Sequence, residues 1–146
     1  MKAEVLIVGG GLVGSRVAEL LEKDFPVRLI EQDQTRAEEL SWNLKKTELL
    51  HGDGSDSDTL IQAGLLDMDT IVTATGDNET NIMTCVLAKH LIRNQSGADE
   101  VREGKTIALT QREEYLVLAA SMGSDIVLNK KVLAGNEILK YIRRGR

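Results

Sequence analysis

Three glycines near the start of the chain have the spacing of a phosphate-binding turn. The segment 9–14 reads Gly-Gly-Gly-Leu-Val-Gly and fits the pattern G-x-G-x-x-G. It follows an apolar, β-branched run at residues 5–8, which is typical of a strand buried on both faces. Apolar residues then recur over 13–21 with the spacing of an amphipathic helix. This order of strand, turn and helix predicts phosphate binding at the start of the helix.

Each glycine of the turn has its own physical role. Gly9 permits a tight turn, Gly11 lets backbone N–H groups approach a pyrophosphate, and Gly14 lets the helix pack closely on the strand. The alternative is a glycine turn in a domain that binds no ligand. We predict that a nucleotide contacts the whole turn, namely Gly9, Gly10, Gly11, Leu12, Val13 and Gly14.

An acidic residue ends the second predicted strand. Glu31 lies 20 residues after Gly11, a separation typical of dinucleotide-binding turns. Its carboxylate would accept hydrogen bonds from ribose hydroxyls, with Gln32 beside it. It would also repel a 2′-phosphate, because two unit charges about 4 Å apart cost roughly 4 kcal/mol at an effective dielectric constant near 20. This favours NAD(H) over NADP(H) unless a nearby cation such as Arg36 compensates. The alternative for Glu31 is a solvated acid at a strand end.

Two later loops are predicted at the same edge of the sheet, beyond the carboxyl ends of the strands. Gly52, Asp53 and Gly54 follow the third strand and are predicted near the adenine, with Ser55 as the cap of the next helix. In the alternative interpretation Asp53 only organises a turn. The candidate contacts after the fourth strand are Ala74, Thr75, Gly76 and Asn81, while Asp77 or Asn78 is predicted to cap the following helix and to face the ligand.

Strand and helix patterns alternate along the whole chain. The predicted strands are 5–8, 27–30, 49–50, 71–74, 107–109 and 126–128, and the predicted helices are 13–21, 34–45, 56–63, 79–93, 111–121 and 130–143. The polar, glycine-containing segment 94–104 is predicted to be a surface loop. This order predicts an α/β fold with a doubly wound, mostly parallel six-stranded Rossmann sheet and helices on both faces.

The composition limits the class of protein. The 146 residues suit one domain, 1–146, and 42% hydrophobic with 28% charged residues is typical of a soluble globule. The net charge of −5 disfavours binding to nucleic acid. No apolar run approaches the roughly 18 residues of a membrane span, and no secretory signal is expected.

No residue pattern predicts a catalytic or a metal site. A short-chain dehydrogenase needs a Tyr-x-x-x-Lys pair, and neither Tyr115 nor Tyr141 has a lysine four residues later. His51 and His90 share no metal-ligand spacing with each other or with Cys85, which is predicted to be a buried packing thiol. The alternative from a different functional class is an NAD-dependent oxidoreductase or its cofactor-binding half. An assay of NADH oxidation with small carbonyl substrates separates these two functions.

Several segments carry a family resemblance that covers nearly the whole chain. They are residues 5–14, 29–33, 51–55, 74–81, 107–109, 123–128 and 134–145. In these segments the chain resembles the TrkA N-terminal domain, which is the nucleotide-binding part of RCK (regulator of potassium conductance) modules. Gly-Asp-Gly-Ser at 52–55 together with Asp-Asn-Glu-Thr-Asn at 77–81 is far more specific than the glycine pattern alone.

The resemblance implies a cytoplasmic regulatory subunit or domain, peripheral to the inner face of the membrane. Its implied partner is an integral-membrane potassium-translocating subunit, and its implied ligand is NAD(H), with ATP, ADP and AMP left open. Some relatives carry an arginine within the glycine turn where this chain has Leu12, which disfavours a triphosphate. The loop at 94–104 is longer than usual. The sequence does not include the separate C-terminal ligand domain of the family, so we expect either an excised domain or a minimal version.

Two helices are predicted to be apolar on more than one side. Helix 79–93 contains eight apolar residues that one sheet is not expected to cover, and helix 130–143 resembles the hinge or crossover helix of the family. Exposed apolar surface of this kind indicates an interface. We therefore expect a homodimer, and the resemblance implies assembly into a larger ring.

Overall fold

Strands and helices alternate in the computed structural model, which describes residues 3–95, 105–110 and 126–129 together with Ile142. The strands are β1 (Val5–Val8), β2 (Val27–Glu31), β3 (Glu48–His51), β4 (Thr70–Thr73), β5 (Lys105–Thr110) and β6 (Ile126–Asn129). The helices are α1 (Leu12–Leu21), α2 (Gln34–Asn43), α3 (Ser57–Gln62) and α4 (Asn78–Gln95), and a short 3₁₀ helix spans Leu65–Asp67.

The strands form a parallel sheet whose order changes direction beside β1. Strands β1 to β4 lie in the order β3-β2-β1-β4, so that β2 flanks β1 on one side and β4 flanks it on the other. Strand β5 pairs in parallel with β4, and β6 pairs in parallel with β5. The predicted parallel sheet with alternating helices is therefore confirmed for β1 to β4. In such a sheet a crevice opens at the carboxyl ends of the strands where the order reverses.

Helices cover both faces of the sheet. Val5 and Ile7 of β1 contact the apolar cluster that contains Val17 of α1 and Leu40 of α2. Leu6 and Val8 point to the opposite face, as neighbours in a strand must, and join the cluster beneath α3 and α4. All four residues of β1 are buried, and each fully buried aliphatic side chain contributes about 1.5–3 kcal/mol. The strand that ends at the glycine turn is thus the centre of the core.

The end of α2 is fixed by a buried carboxylate from Glu22, the residue that follows α1. Glu22 is only 8% exposed, and its two oxygens accept hydrogen bonds from the backbone N–H groups of Lys45, Lys46 and Thr47 and from the Thr47 hydroxyl, at 2.8–3.1 Å. Burial raises the pKa of Glu22, but these hydrogen bonds together outweigh it and leave the pKa below its ordinary value. They also explain why α2 ends at Asn43 rather than at the predicted residue 45.

Other boundaries differ from the prediction by short lengths. Strand β3 is longer at each end than the predicted 49–50, and α4 extends through residue 95 into the predicted loop 94–104. The rest of that loop and the predicted helix 111–121 lie outside the described residues, as does helix 130–143 except for Ile142. Ile142 is helical and buried in the cluster beneath α1 and α2.

The apolar residues of α4 are covered more completely than the sequence suggests. Ile82, Cys85, Ala88 and Ile92 are buried, and Leu87 and Leu91 pack partly buried against the cluster beneath α3 and α4. Cys85 is fully buried, as predicted. Met83 is 53% exposed and Val86 is half-buried, and neither belongs to that cluster, so these two residues leave apolar surface on α4. Within the described part of the chain, no helix has the length and hydropathy that a membrane span requires.

Glu22→Gln should destabilise the protein at neutral pH by about 1–3 kcal/mol, because the amide leaves buried N–H donors without an acceptor. The pKa of Glu22 is lower in the folded state, so the stabilisation is fully present above the ordinary value of 4.5 and is lost as the pH falls through the folded value. Urea unfolding of parent and variant between about pH 7 and about pH 3 measures this.

The difference in unfolding free energy between parent and Glu22→Gln should shrink as the solution becomes acidic. Glu19→Gln is the matched control, since Glu19 is exposed and lies in the last turn of α1, three residues before Glu22. A Glu22→Gln difference that stays constant over the whole pH range would contradict the role of the carboxylate charge.

Candidate functional site

A cleft of about 480 Å³ opens at the carboxyl ends of β1 to β4, where the strand order reverses. Its lining comes from the ends of the strands and from the loops that follow them. The lining residues are Val8, Gly9, Gly10, Gly11, Ile30, Glu31, Gln32, Gly52, Asp53, Gly54, Ser55, Thr75, Gly76, Asp77 and Thr80. The three loops predicted to bind a nucleotide therefore lie around one cavity.

The glycine turn is shaped by two close contacts. Gly9 has a φ of +108°, which is a conformation that side chains rarely adopt, and a Cβ there would lie 2.8 Å from the backbone of Ala74 and Thr75. A Cβ on Gly14 would lie 1.9 Å from the carbonyl oxygen of Gly9. The structure thus confirms the predicted tight turn at Gly9 and the close helix packing at Gly14.

Gly11 faces open space at the start of α1. A Cβ on Gly11 would meet no described atom within 4 Å, and the residue has an ordinary φ of −72°. Gly11 occupies the N-cap position, where no side chain caps the helix. The first N–H groups of a helix have no partner within it, and the helix dipole favours an anion at this end. The space beside Gly11 is therefore suited to a phosphate.

Glu31 joins the end of β2 to the glycine turn. One carboxylate oxygen accepts a hydrogen bond from the N–H of Gly10 at 2.8 Å, and the other accepts one from the N–H of Asp33 at 2.7 Å. Glu31 lines the cleft with its side chain half-buried. Because a carboxylate has about four lone-pair directions, Glu31 retains acceptor capacity for ribose hydroxyls.

Arg36 contacts the protein itself. Its Nε donates to the carbonyl of Gly10 at 2.7 Å, and one terminal nitrogen forms an ion pair with Glu39 at 3.1 Å. The other terminal nitrogen lies 3.4 Å from the hydroxyl of Ser15. The guanidinium of Arg36 is therefore already engaged by these partners, which disfavours the suggestion that it compensates the charge of Glu31 when a 2′-phosphate binds.

The loop after β3 is organised by its own side chains. Asp53 accepts hydrogen bonds from the hydroxyl of Ser55 at 2.6 Å and from its N–H at 2.9 Å, and these lower the pKa of Asp53. The prediction that Ser55 caps α3 is wrong. Asp56 is the cap and accepts from the N–H of Thr59, because Ser55 is turned toward Asp53. Gly54 lies over Val8, since a Cβ there would be 2.3 Å from a Val8 methyl carbon.

The loop after β4 is held from behind by Asn81. The Asn81 side chain is fully buried, and its amide oxygen accepts from the N–H of Thr75 at 2.8 Å and from its hydroxyl at 2.6 Å. Its amide nitrogen donates to the Thr75 carbonyl at 3.2 Å. Asp77 directly precedes α4, and its carboxylate accepts from the hydroxyl of Thr80. Asn81 therefore positions Thr75, and Thr75 itself lines the cleft.

The predicted site residues divide into those that line the cleft and those that support it. Ten line the cleft, whereas Leu12, Val13, Gly14, Ala74 and Asn81 do not. Leu12 is 73% exposed, and Ala74 is buried beneath the turn. The sequence analysis missed four lining residues, namely Val8, Ile30, Ser55 and Thr80. The sequence pattern predicts Val8 and Ile30 only as core residues of their strands, so no local pattern distinguishes them as cleft residues.

The charge of the cleft is negative. Its described lining includes three carboxylates, from Glu31, Asp53 and Asp77, and contains no lysine or arginine. Such a lining disfavours ligands with a high negative charge. Across the residues that the structure describes, no cluster of three histidine, cysteine or acidic side chains has a geometry that would hold a metal ion.

Comparison with known proteins yields a family match and curated relatives. A family model described as the TrkA-N domain matches residues 5–130. The Trk system potassium uptake protein TrkA of Azorhizobium caulinodans is 32% identical over 145 residues, covering 97% of this chain and 30% of that protein. The TrkA protein of Haemophilus influenzae is 36% identical over 141 residues, covering 97% of this chain and 29% of that protein. The chain thus spans less than a third of these relatives.

Solved structures share the fold. The TrkA-N domain of the inner membrane protein YbaL from Escherichia coli superposes with a TM-score of 0.74 at 19% identity, covering 99% of this chain and 96% of that chain. The GsuK channel bound to NAD gives a TM-score of 0.71 at 16% identity, covering 88% of this chain and 21% of that chain. GsuK bound to ADP gives a TM-score of 0.71 at 23% identity, covering 99% of this chain and 35% of that chain.

Gly11→Val should abolish nucleotide binding and leave the fold intact. The added Cβ enters open space at an ordinary φ and has no described atom within 4 Å, but the side chain fills the volume that a pyrophosphate needs. Calorimetry with NAD and ADP measures the binding, and circular dichroism melting measures the fold.

Gly14→Ala is the contrasting variant for the same experiments. Its Cβ would collide with the Gly9 carbonyl, so we expect a lower melting temperature for Gly14→Ala and a parent-like one for Gly11→Val. Parent-like nucleotide affinity in Gly11→Val would show that the ligand binds away from the turn.

Proposed function

The chain belongs to the TrkA-N domain family, and from this premise we propose that it is an NAD(H)-binding regulatory subunit or domain that gates a potassium-translocating membrane protein. The observation that carries the proposal is the placement of Glu31 beside the glycine turn. Its carboxylate faces a cleft in which Gly11 leaves room for a pyrophosphate at the start of α1. A dinucleotide has both of the groups that this arrangement would bind, a ribose diol and a pyrophosphate.

Charge favours NAD(H) among the adenine nucleotides. Three carboxylates line the cleft, its described lining includes no lysine or arginine, and ATP would bring more negative charge into it than NAD(H) does. ADP and AMP carry fewer phosphates than ATP and remain the alternative ligands, and ADP is bound in the related GsuK structure. The proposed contacts are those made by the glycine turn, by Glu31 with Gln32, by residues 52–54 and by residues 74–76, with Asn81 in support.

The proposed role is to convert nucleotide binding into a conformational change of the membrane partner. A ligand shifts a conformational equilibrium only by the difference in its affinity for the two states. We place the chain at the cytoplasmic face of the membrane, as a peripheral component held there by an integral-membrane partner. Residues 1–146 are proposed as one nucleotide-binding domain whose last helix, 130–143, serves as the hinge helix.

NAD(H) should bind more tightly than NADP(H), because Glu31 repels the 2′-phosphate and the guanidinium of Arg36 is already paired with the Gly10 carbonyl and Glu39. Calorimetry of the parent with both cofactors measures the ratio of the two affinities. Glu31→Ala should narrow this ratio.

Glu31→Gln separates the charge of this residue from its structural role. The amide oxygen can still accept from the N–H of Gly10, whereas the bond from the N–H of Asp33 is lost. We therefore expect Glu31→Gln to narrow the ratio while the glycine turn keeps its position. Equal affinity of the parent for NAD and NADP would contradict the assignment of Glu31 to the ribose.

We also propose that the chain forms a homodimer, the unit from which a ring would assemble. Met83 and Val86 leave apolar surface on α4, and a two-fold interface is the commonest way to cover such surface. Sedimentation equilibrium at micromolar concentration should therefore give twice the 16.0 kDa mass of the chain. Met83→Glu should shift the distribution toward monomer. Lys23→Glu, at an exposed site in the turn after α1, should leave it unchanged. A single species at 16.0 kDa in the parent would refute the dimer.

A further inference from the structure

We infer that Arg36 is a positioning residue that aims the N–H of Gly11 at the phosphate position of the cleft. This inference rests on the proposed nucleotide site and assigns the residue that fixes its geometry. The observation behind it is that both hydrogen-bonding groups of the Gly10 backbone are held by side chains. Glu31 accepts from the N–H of Gly10 at 2.8 Å, and Arg36 donates to its carbonyl at 2.7 Å.

The bond to the carbonyl controls the next peptide plane. The carbonyl of Gly10 and the N–H of Gly11 belong to one rigid peptide unit, and the described chain contains no cis peptide bond. In a trans unit the two groups point in opposite directions. Because Arg36 holds the carbonyl on the side of α2, the N–H of Gly11 must point away from α2. Gly11 lines the cleft, so this direction serves a ligand there.

Packing from the same helix reinforces the arrangement. A Cβ on Gly10 would lie 2.4 Å from a methyl carbon of Leu40, which shows how closely α2 approaches the turn. Arg36 and Leu40 are four residues apart and therefore share one face of α2. A terminal nitrogen of Arg36 also lies 3.4 Å from the hydroxyl of Ser15 in the first turns of α1. Arg36 thus connects α2, the glycine turn and α1 at one point.

The guanidinium is suited to this role because its donors form a fixed planar fork. Nε bonds the carbonyl while one terminal nitrogen pairs with Glu39 at 3.1 Å, so the plane of the group is set by two partners. A lysine would present its charge at a single point and would not set this orientation. Only about a third of the Arg36 side chain is exposed.

Arg28 provides a matched control within the same chain. Its terminal nitrogen donates to the carbonyl of Ala63 at 2.9 Å, and its Nε pairs with Glu48 at 2.9 Å, with 36% of the side chain exposed against 32% for Arg36. Both arginines therefore connect a backbone carbonyl to a carboxylate. Arg28 does not line the nucleotide cleft, so Arg28→Gln removes the same kinds of contact elsewhere.

The test compares ligands with and without phosphates. Calorimetry with ADP and with adenosine is performed on the parent, Arg36→Gln, Arg36→Lys and Arg28→Gln. Arg36→Gln should weaken the affinity for ADP on the order of tenfold and change the affinity for adenosine less than about twofold. The reason is that only ADP has phosphates that reach the N–H of Gly11. Arg36→Lys should give an intermediate loss, and Arg28→Gln should match the parent for both ligands.

Three results would overturn the inference, two with ADP and adenosine and one from the same calorimetry with NAD and NADP. An equal loss of affinity for ADP and for adenosine in Arg36→Gln would show a general effect on the fold. Unchanged ADP affinity would show that the turn is positioned without Arg36. A fall in NADP affinity that exceeds the fall in NAD affinity would make Arg36 a ligand of the 2′-phosphate instead, and this also contradicts the inference.

A measurement without ligand keeps the inference testable if the parent binds neither NAD nor ADP, a result that would refute the proposed function alone. Amide hydrogen exchange by NMR reports on the turn directly. The N–H of Gly10 is protected by its bond to Glu31, and the loss of Arg36 should speed its exchange at least about tenfold. Arg28→Gln should leave that rate unchanged. An unchanged Gly10 rate in Arg36→Gln would overturn the positioning role whatever the ligand result.

Discussion

The backbone passes from β1 into α1 through a space that is too small for a side chain at Gly9 or Gly14. The carbonyl oxygen of Gly9 occupies the position that a Cβ of Gly14 would need, and the backbone of Ala74 and Thr75 lies against Gly9 itself. These contacts join the end of β1, the start of α1 and the end of β4. The cleft depends on this junction, because only a helix that begins so close to the sheet directs its free N–H groups across the ends of the strands.

Around that junction, polar side chains hold the loops of the cleft. Glu31 binds the N–H of Gly10, Asp53 binds the N–H of Ser55, and Asn81 binds the N–H of Thr75. Each loop therefore has its conformation set by a side-chain acceptor from the protein. Ordering a mobile loop weakens binding by the entropy that is lost, so loops that are fixed beforehand favour affinity. Two of these acceptors, Glu31 and Asp53, also line the cleft, where an incoming ligand would meet them.

The elements that the sequence predicts well are those whose evidence is local. The apolar run of β1, the amphipathic pattern of α1 and the glycine turn between them each lie within a few neighbouring residues, and all three are found as predicted. The roles of Gly9 and Gly14 follow from the same spacing. Contacts between distant residues are different. The hydrogen bond from Arg36 to Gly10 joins residues 26 positions apart, and no local pattern indicates it.

Two of the predictions are wrong because another side chain competes for the same hydrogen-bonding group. Helix α2 ends early because Glu22, more than 20 residues away along the chain, binds the N–H groups that follow it. Ser55 has the residue type of a helix cap, but its neighbour Asp53 competes for its hydroxyl and Asp56 takes the cap position. Composition and periodicity state which residue types suit a position. They do not state which of two suitable acceptors lies nearer in the folded chain, and that choice determines the details of the site.

Helix α4 connects the cleft to the exposed apolar surface at Met83 over a short distance along the chain. Thr80 lines the cleft and accompanies Asp77 at the start of the helix, and the exposed Met83 lies three residues further on. Residues three apart lie on neighbouring positions of one helix face. Under the proposed function, a ligand that contacts Thr80 or Asp77 therefore acts on the same helical turn that presents Met83. Coupling between ligand and interface then needs only a small rotation or shift of one rigid helix, provided that the ligand binds the two helix positions with different affinities.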